Sequence, residues 1–276
     1  MNFKKYSGAG NKFLMLNNLD ARTNVSSELV RHMIAEHGPE MDGVIFAEQS
    51  SIADYRMNYY NKDGTGDALC GNGLRCTARY LKDEGIVKEE IVLIEGVGKI
   101  YDCRFTDDGE ISVGFPPPEK MKFKFKLKVH FAEWWQLVNA SYVDVGSPHV
   151  IIFIDDIEKP TVSNLDEIPI DEWGKYVRMH KDFLPEGVNA HFVKVIDAEK
   201  GELRIRSFER GVEGETLACG TGSLSSAISA YEVKNVKTPI RLLTRSGEYL
   251  TVDFNIENGI IRNLRLKGNA VKIQIK

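Results

Sequence analysis

The chain has 276 residues, enough to bury the cores of two domains. Its 36 basic and 40 acidic residues leave a formal net charge of −4, which provides no general field for nucleic acid or an anionic membrane. A small-molecule partner is therefore expected. No run of about eighteen apolar residues occurs, and the start MNFKKYSGAGNKF has no apolar secretory leader, so the expected compartment is the cytosol.

In chain order, SSELVRHMIAEHG predicts a helix capped by serine and closed at Gly38. IADYRMNYYN alternates as a strand and runs through a Gly-rich turn into LCGNG, Leu69 to Gly73. The next helix carries Leu74, Ala78 and Leu81 at i, i+4 and i+7 and ends near Gly85. EIVLIEG and EISVGF read as strands. FPPPE, Phe115 to Glu119, interrupts helix and ladder alike and marks a boundary. EKMKFKFKLKVHF alternates lysine with Phe, Leu or Val, the pattern of a half-exposed strand whose lysines face water and discourage edge pairing.

YVDVGSPHVIIFID, VNAHFVKVID and GELRIRSFE follow as strands, with a helix predicted from Asp171 in DEWGKYVRMHKDF. ACGTG, Ala218 to Gly222, opens another helix with Leu224, Ala227, Ile228 and Tyr231 and small residues on its other faces. A helix without long charged side chains on any face is enclosed, and strands are available to enclose it. PIRLLTRSG, YLTVDFNI and IIRNLRLKG complete the set.

An internal duplication organises these elements. YRMNYYNKDGTGDALCGNG and LRIRSFERGVEGETLACGTG each run from a strand through a polar residue, Asn61 or Glu209, and a Gly-rich turn to Cys-Gly-x-Gly and a helix. Residues 1–118 form the half carrying Cys70, to which strands at about 263–276 return. Residues 119–262 form the half carrying Cys219. The four cysteines are too few for a disulfide scaffold, and their spacing matches no familiar zinc pattern, so no metal is expected. Cys76 and Cys103, outside the repeated motif, read as packing residues.

A helix start leaves main-chain N–H groups unpaired and carries partial positive charge, which attracts anions and lowers a nearby thiol from about 8.5 toward neutrality. Gly71 and Gly220 allow a ligand close to the main chain, and Asn72 and Thr221 add side-chain donors. Two such starts aimed at one carboxylate would spread the charge that develops when the neighbouring carbon loses its proton. Inverting that carbon needs a base on one face and an acid on the other. A thiolate and a thiol fill both roles and exchange them in reverse. The paired motif thus suits a two-base racemase or epimerase working without a cofactor.

Five ordered motifs, GAGNKF (Gly8 to Phe13), YNKDGTGDALCGNGLRC (Tyr60 to Cys76), GSPH (Gly146 to His149), PEGVNAHFV (Pro185 to Val193) and ERGVEGETLACGTG (Glu209 to Gly222), give the chain a nearly full-length resemblance to the diaminopimelate epimerases. That family interconverts LL- and meso-diaminopimelate in lysine and peptidoglycan precursor synthesis. The resemblance implies an α+β fold of two pseudo-symmetric domains, each a β-barrel-like sheet around a central helix, with the active site in the interdomain cleft. It also implies a homodimer, Cys70 and Cys219 as the acid/base pair, and His149 and Glu209 beside the thiols as tuning or relay groups. Asn61, Asn189 and Arg210 match positions that grip the distal end of the substrate, where Arg210 can fork onto a carboxylate. Asn11 lies in the motif that lines the same pocket.

Three positions depart from the family pattern: Ser147 stands where Asn is frequent, Lys12 where Asp is, and Gly43 where Gln is. They bear on the distal end of the substrate and leave the acid/base pair intact. Two alternatives stay open at this point: a related racemase of another amino acid, of histidine or proline type, and a redox or sensor protein whose two thiols cycle through a disulfide.

Overall fold

The computed structural model describes residues 2–66, 69–131 and 133–274. Its contacts divide the chain into two units, one running to Phe115 and resuming at Leu266, the other spanning Pro116–Arg265. Residues 275 and 276 of the predicted C-terminal return lie outside the described residues.

In the first unit β1 (Phe3–Gly8) and β2 (Asn11–Asn17) form an antiparallel hairpin, turned by Ala9 and Gly10 at φ 50° and 91°. Helix α1 (Ser27–His37) carries the chain over to β3 (Gly43–Glu48), which lies parallel to β2. Ser26 caps it through a bond from the Leu29 N–H, and the Gly38 N–H closes it on Ile34. Its buried face, Val30, Met33 and Ile34, packs with Leu14, Leu16, Val44 and Phe46. β4 (Tyr55–Asn61) runs antiparallel to β3, α2 (Gly71–Asp83) follows, and β5 (Ile91–Gly96), parallel to β4, leads into β6 (Lys99–Phe105) and β7 (Ile111–Gly114).

The second unit repeats this order. β8 (Lys120–Phe131) and β9 (Trp134–Asp144) form a long hairpin, and β9 turns through Gly146 into β10 (Pro148–Phe153). Helix α3 (Ile170–Arg178) precedes β11 (Asn189–Asp197), parallel to β10, and β12 (Glu202–Glu209) returns antiparallel. After β13 (Gly214–Thr216) come α4 (Gly220–Lys234), β14 (Ile240–Leu243) parallel to β12, β15 (Tyr249–Glu257) and β16 (Ile260–Gly268), whose last residues belong to the first unit, as does β17 (Val271–Lys272). The core of this unit gathers Phe131, Trp173, Phe192 and Phe208, with Phe131 stacked on Trp173 at 4.2 Å between centroids.

The architecture is α+β, two pseudo-symmetric domains in which strands wrap one helix. Helix α2 touches β1 to β7 and β17, and α4 touches β8 to β11, β14 and β15. Enclosure explains the composition of α4: every residue from Gly220 to Ala230 is buried, and a stripe of serine and alanine lets strands approach from all sides. Asn235, left-handed at φ 55°, ends it. No helix among the described residues is long and apolar enough to cross a membrane.

Some elements differ from the sequence reading. YVDVGSPHVIIFID, one apolar run by pattern, is the end of one strand, a turn and the next strand, because Gly146 at φ 103° reverses the chain. The helix predicted from Asp171 stops at Arg178, and residues 181–183 form a separate 3-10 turn. β1, β2, β3 and β6 carry lysine, glycine or asparagine among their apolar residues, which masks their alternation.

Candidate active site

In the first unit the loop after β4 delivers Cys70 to the cap position of α2, where its sulfur accepts the Gly73 N–H at 3.3 Å. Gly73 suits that approach: a Cβ there would meet Ile45 Cδ1 at 3.1 Å and Met57 Sδ at 3.2 Å. Asn72, buried in the first turn of α2, donates to Asn11 Oδ1, and Asn11 in turn donates to Asp42 at 3.3 Å. Asn61 closes β4, its Nδ2 donating to Thr65 Oγ1 at 2.9 Å while Tyr59 O–H donates to its Oδ1 at 2.7 Å. Gly43, paired with Asn61 across the ladder, makes room for this: a Cβ there would come within 2.6 Å of the Tyr59 ring.

Behind this helix start lies Arg75, wholly buried, which donates to Asn72 Oδ1 at 2.6 Å, to the Asn269 carbonyl at 3.2 Å and to the Gly71 carbonyl at 3.4 Å. Burial lowers its pKa, partly offset by the attraction of Cys76 and Cys70. A guanidinium held one turn into the helix adds to the positive end of the dipole and favours negative charge at its start. Sequence reading passed over Arg75; its signal is a cation directly beside Leu74, on the i, i+4, i+7 stripe that faces the core.

In the second unit Cys219 takes the same cap position on α4 and is almost fully buried, with Thr221 Oγ1 3.8 Å from its sulfur. The expected lowering of its pKa does not occur. Burial pushes the Cys219 thiol well up, Glu209 raises it further through its charge and a hydrogen bond, and the Gly222 N–H and Thr221 oppose this only in part. A helix start contributes a fraction of a unit charge, whereas removing a thiolate from water is opposed by its whole solvation. Cys219 therefore rests as the thiol. Glu209, at the end of β12, also accepts from Thr216 Oγ1.

Ser147, His149, Asn189 and Arg210 lie at neighbouring strand ends, His149 and Asn189 at the starts of β10 and β11, Ser147 just before β10 and Arg210 just after β12. Ser147 Oγ lies 2.8 Å from His149 Nε2 and donates to Thr221 Oγ1 at 3.4 Å. Asn189 donates to the Pro148 carbonyl at 3.2 Å and accepts the Arg210 N–H at 2.8 Å, so it fixes the backbone from which Arg210 projects. The Arg210 guanidinium is exposed, in contact with the Glu186 carbonyl at 3.5 Å.

One more residue joins this set. His191 Nε2 lies 2.8 Å from His149 Nδ1, and its Nδ1 lies 2.9 Å from Ser207 Oγ. Both rings are buried; burial lowers both imidazoles, His149 well below its ordinary value and His191 to about 3, with the His191 neighbour and then Arg210 adding to the effect on His149. Both are neutral. His191 stands within a motif already noted, yet nothing in its spacing marked it; the parallel register that sets β11 beside β10 brings it to His149.

A family model described as diaminopimelate epimerase matches residues 3–120 and 141–272. The chain belongs to the diaminopimelate epimerase family. Residues 121–140, most of the β8–β9 hairpin, fall outside the match. The diaminopimelate epimerase of Aquifex aeolicus is 33% identical over 285 aligned positions, covering 99% of this chain and 96% of that protein. That of Chlorobaculum tepidum is 35% identical over 252, covering 90% and 91%. Membership makes the protein an isomerase. Among solved structures, a Bacillus anthracis phenazine biosynthesis protein of the PhzF family superposes with a TM-score of 0.72 at 18% identity, covering 99% of this chain and 96% of that one. A hydroxyproline epimerase from Agrobacterium vitis superposes at 0.68 and 13%, covering 99% and 90%. At these identities the likeness is one of fold.

Proposed function

We propose that the protein epimerises LL-diaminopimelate to meso-diaminopimelate by transferring the α-proton between two thiols, without a cofactor, in lysine and peptidoglycan precursor synthesis. The observation that carries the reading is the repeated cysteine cap: in a chain of this family each half opens an enclosed helix on Cys-Gly-x-Gly, downstream of a strand that ends on a polar residue.

In this mechanism the main-chain N–H groups after Gly71 and Gly220, with Asn72 and Thr221, receive the α-carboxylate and stabilise the carbanion. Cys219, resting as the thiol, is the first acid, which assigns the first base to Cys70 on the Arg75-supported helix. The pair then stands with its protons exchanged, and the Cys219 thiolate serves as base in the reverse direction, with Glu209 beside it raising its affinity for the proton. His149 stays neutral beside Ser147 and Thr221. Asn11 and Asn61 in one half and Asn189 and Arg210 in the other hold the distal amino acid group, with Arg210 forking onto its carboxylate. Ser147, shorter than Asn, contributes less reach there. A homodimer in the cytosol, with no nucleic-acid or membrane partner, completes the proposal.

Freshly reduced enzyme incubated in deuterated water with LL-diaminopimelate and, separately, with free histidine, proline and other amino acids tests the substrate. Exchange at the α-carbon of diaminopimelate alone is expected. Exchange on histidine or proline, with diaminopimelate inert, assigns another substrate, and no exchange on any of them removes the epimerase reading.

A further inference from the structure

His191 makes the second half of the molecule chemically unlike the first. The registers of β2 with β3 and of β10 with β11 make Phe13, Ile45 and Tyr59 the counterparts of His149, His191 and Ser207. Behind Cys70 these positions are apolar or aromatic, while beside Cys219 they hold two imidazoles. We propose that His149, His191 and Cys219 form a binding site for a thiophilic divalent cation of the Zn2+ class, and that its occupancy removes Cys219 from the reaction.

Among the described residues these three form the cluster of metal-ligating side chains: one nitrogen of each ring and the Cys219 sulfur lie within 4.8 Å of one another, and all three residues are buried. A tetrahedral zinc with bonds of about 2.0–2.1 Å to nitrogen and 2.3 Å to sulfur holds its donors roughly 3.3–3.7 Å apart, so the two inner nitrogens, 2.8 Å apart, open by about 0.5 Å to admit it while the sulfur closes in by about 1 Å at most. Both rings are neutral, the form that offers a lone pair. His149 Nε2 and His191 Nδ1 already face Ser147 Oγ at 2.8 Å and Ser207 Oγ at 2.9 Å, the outer hydrogen bonds that orient metal-bound histidines.

The ion replaces the direct bond between His149 Nδ1 and His191 Nε2. Each ring then donates from its outer nitrogen to its serine, and the lone pairs of the inner nitrogens and the Cys219 sulfur bind the ion. One proton leaves, that of the Cys219 thiol, and no electron changes hands. Gly222 keeps His191 in place, since a Cβ there would come within 2.2 Å of its Cε1. The loss of activity on loading rests on the proposed role of Cys219; the binding itself does not.

Reduced, metal-stripped protein titrated with Co2+ tests the site. A sulfur-to-cobalt charge-transfer absorption is expected at one equivalent, displaced by Zn2+, absent in C219S and H191Q and retained in C70S. X-ray absorption of the Zn2+-loaded wild type, which needs no variant to fold, should show one sulfur at about 2.3 Å and two imidazole nitrogens at about 2.0–2.1 Å. Absence of the band, its survival in either C219S or H191Q, its loss in C70S, or a shell without sulfur would overturn the proposal. If the epimerase reading alone is wrong, the absorption is unaffected; if the ion site alone is wrong, α-hydrogen exchange proceeds unchanged in the presence of Zn2+.

Discussion

Alanine for glycine inside a helix ordinarily stabilises by about 0.5–1 kcal/mol. At Gly222 the sign reverses, because the new Cβ would lie 2.2 Å from a ring that is buried and bonded on both sides, to His149 and to Ser207. G222A is expected to destabilise the protein by about 1–3 kcal/mol, the range for overpacking a filled core, measured as a lower denaturation midpoint at unchanged slope. Cys219 provides a second test at this scale. Its alkylation by iodoacetamide should follow an apparent pKa above the ordinary thiol value, since burial and then Glu209 both favour the thiol. E209Q removes the charge and leaves the burial, so the apparent pKa should fall without reaching the ordinary value. A reaction that saturates near neutral pH in the wild type would show the thiol to be activated and not suppressed. Both residues show where sequence reading ends: the cysteine cap was visible in Cys-Gly-x-Gly, whereas its burial, which sets the protonation state, was not.

Strand pairing decides what single positions cannot. The register of β10 on β11 places two neutral histidines together, and that pairing costs stability in acid. An unfolded histidine titrates at about 6.5, while the folded His191 holds out to about 3 and His149 lies well below its ordinary value. Below pH 6.5 the unfolded chain takes up protons that the native one refuses, so stability is full above that pH and declines as pH falls. Each ring is expected to withdraw about 1.4 kcal/mol by pH 5.5. Urea midpoints across pH 5 to 8 check this, and H191Q should flatten the profile; a flat wild-type profile would mean that the rings are charged in the fold. The helices themselves were legible in the sequence. Ser26, Gly38, Gly85 and the serine-rich α4 announced ends and enclosure. The early strands were not, because Asn11 and Lys12 at the edge of β2, both bonded to Asp42, interrupt its apolar pattern.

At the scale of the molecule, one order of strands and helices is written twice, and the duplication was readable because Cys-Gly-x-Gly recurs at Cys70 and Cys219, each at a similar distance after a polar residue, Asn61 or Glu209. The divergence behind the cysteines was not readable, since Phe13, Ile45 and Tyr59 align with His149, His191 and Ser207 only once the ladders are known. A thiol carries a single proton, so a donor on the far face must draw its hydrogen from solvent and cannot return the one removed from the substrate. The decisive measurement is the early-time isotope content of both epimers when LL-diaminopimelate reacts in deuterated water. The two-thiol account predicts deuterium at the inverted carbon of the meso product while unreacted LL substrate keeps its protium. Protium carried from substrate into product would show one base serving both faces and would contradict it.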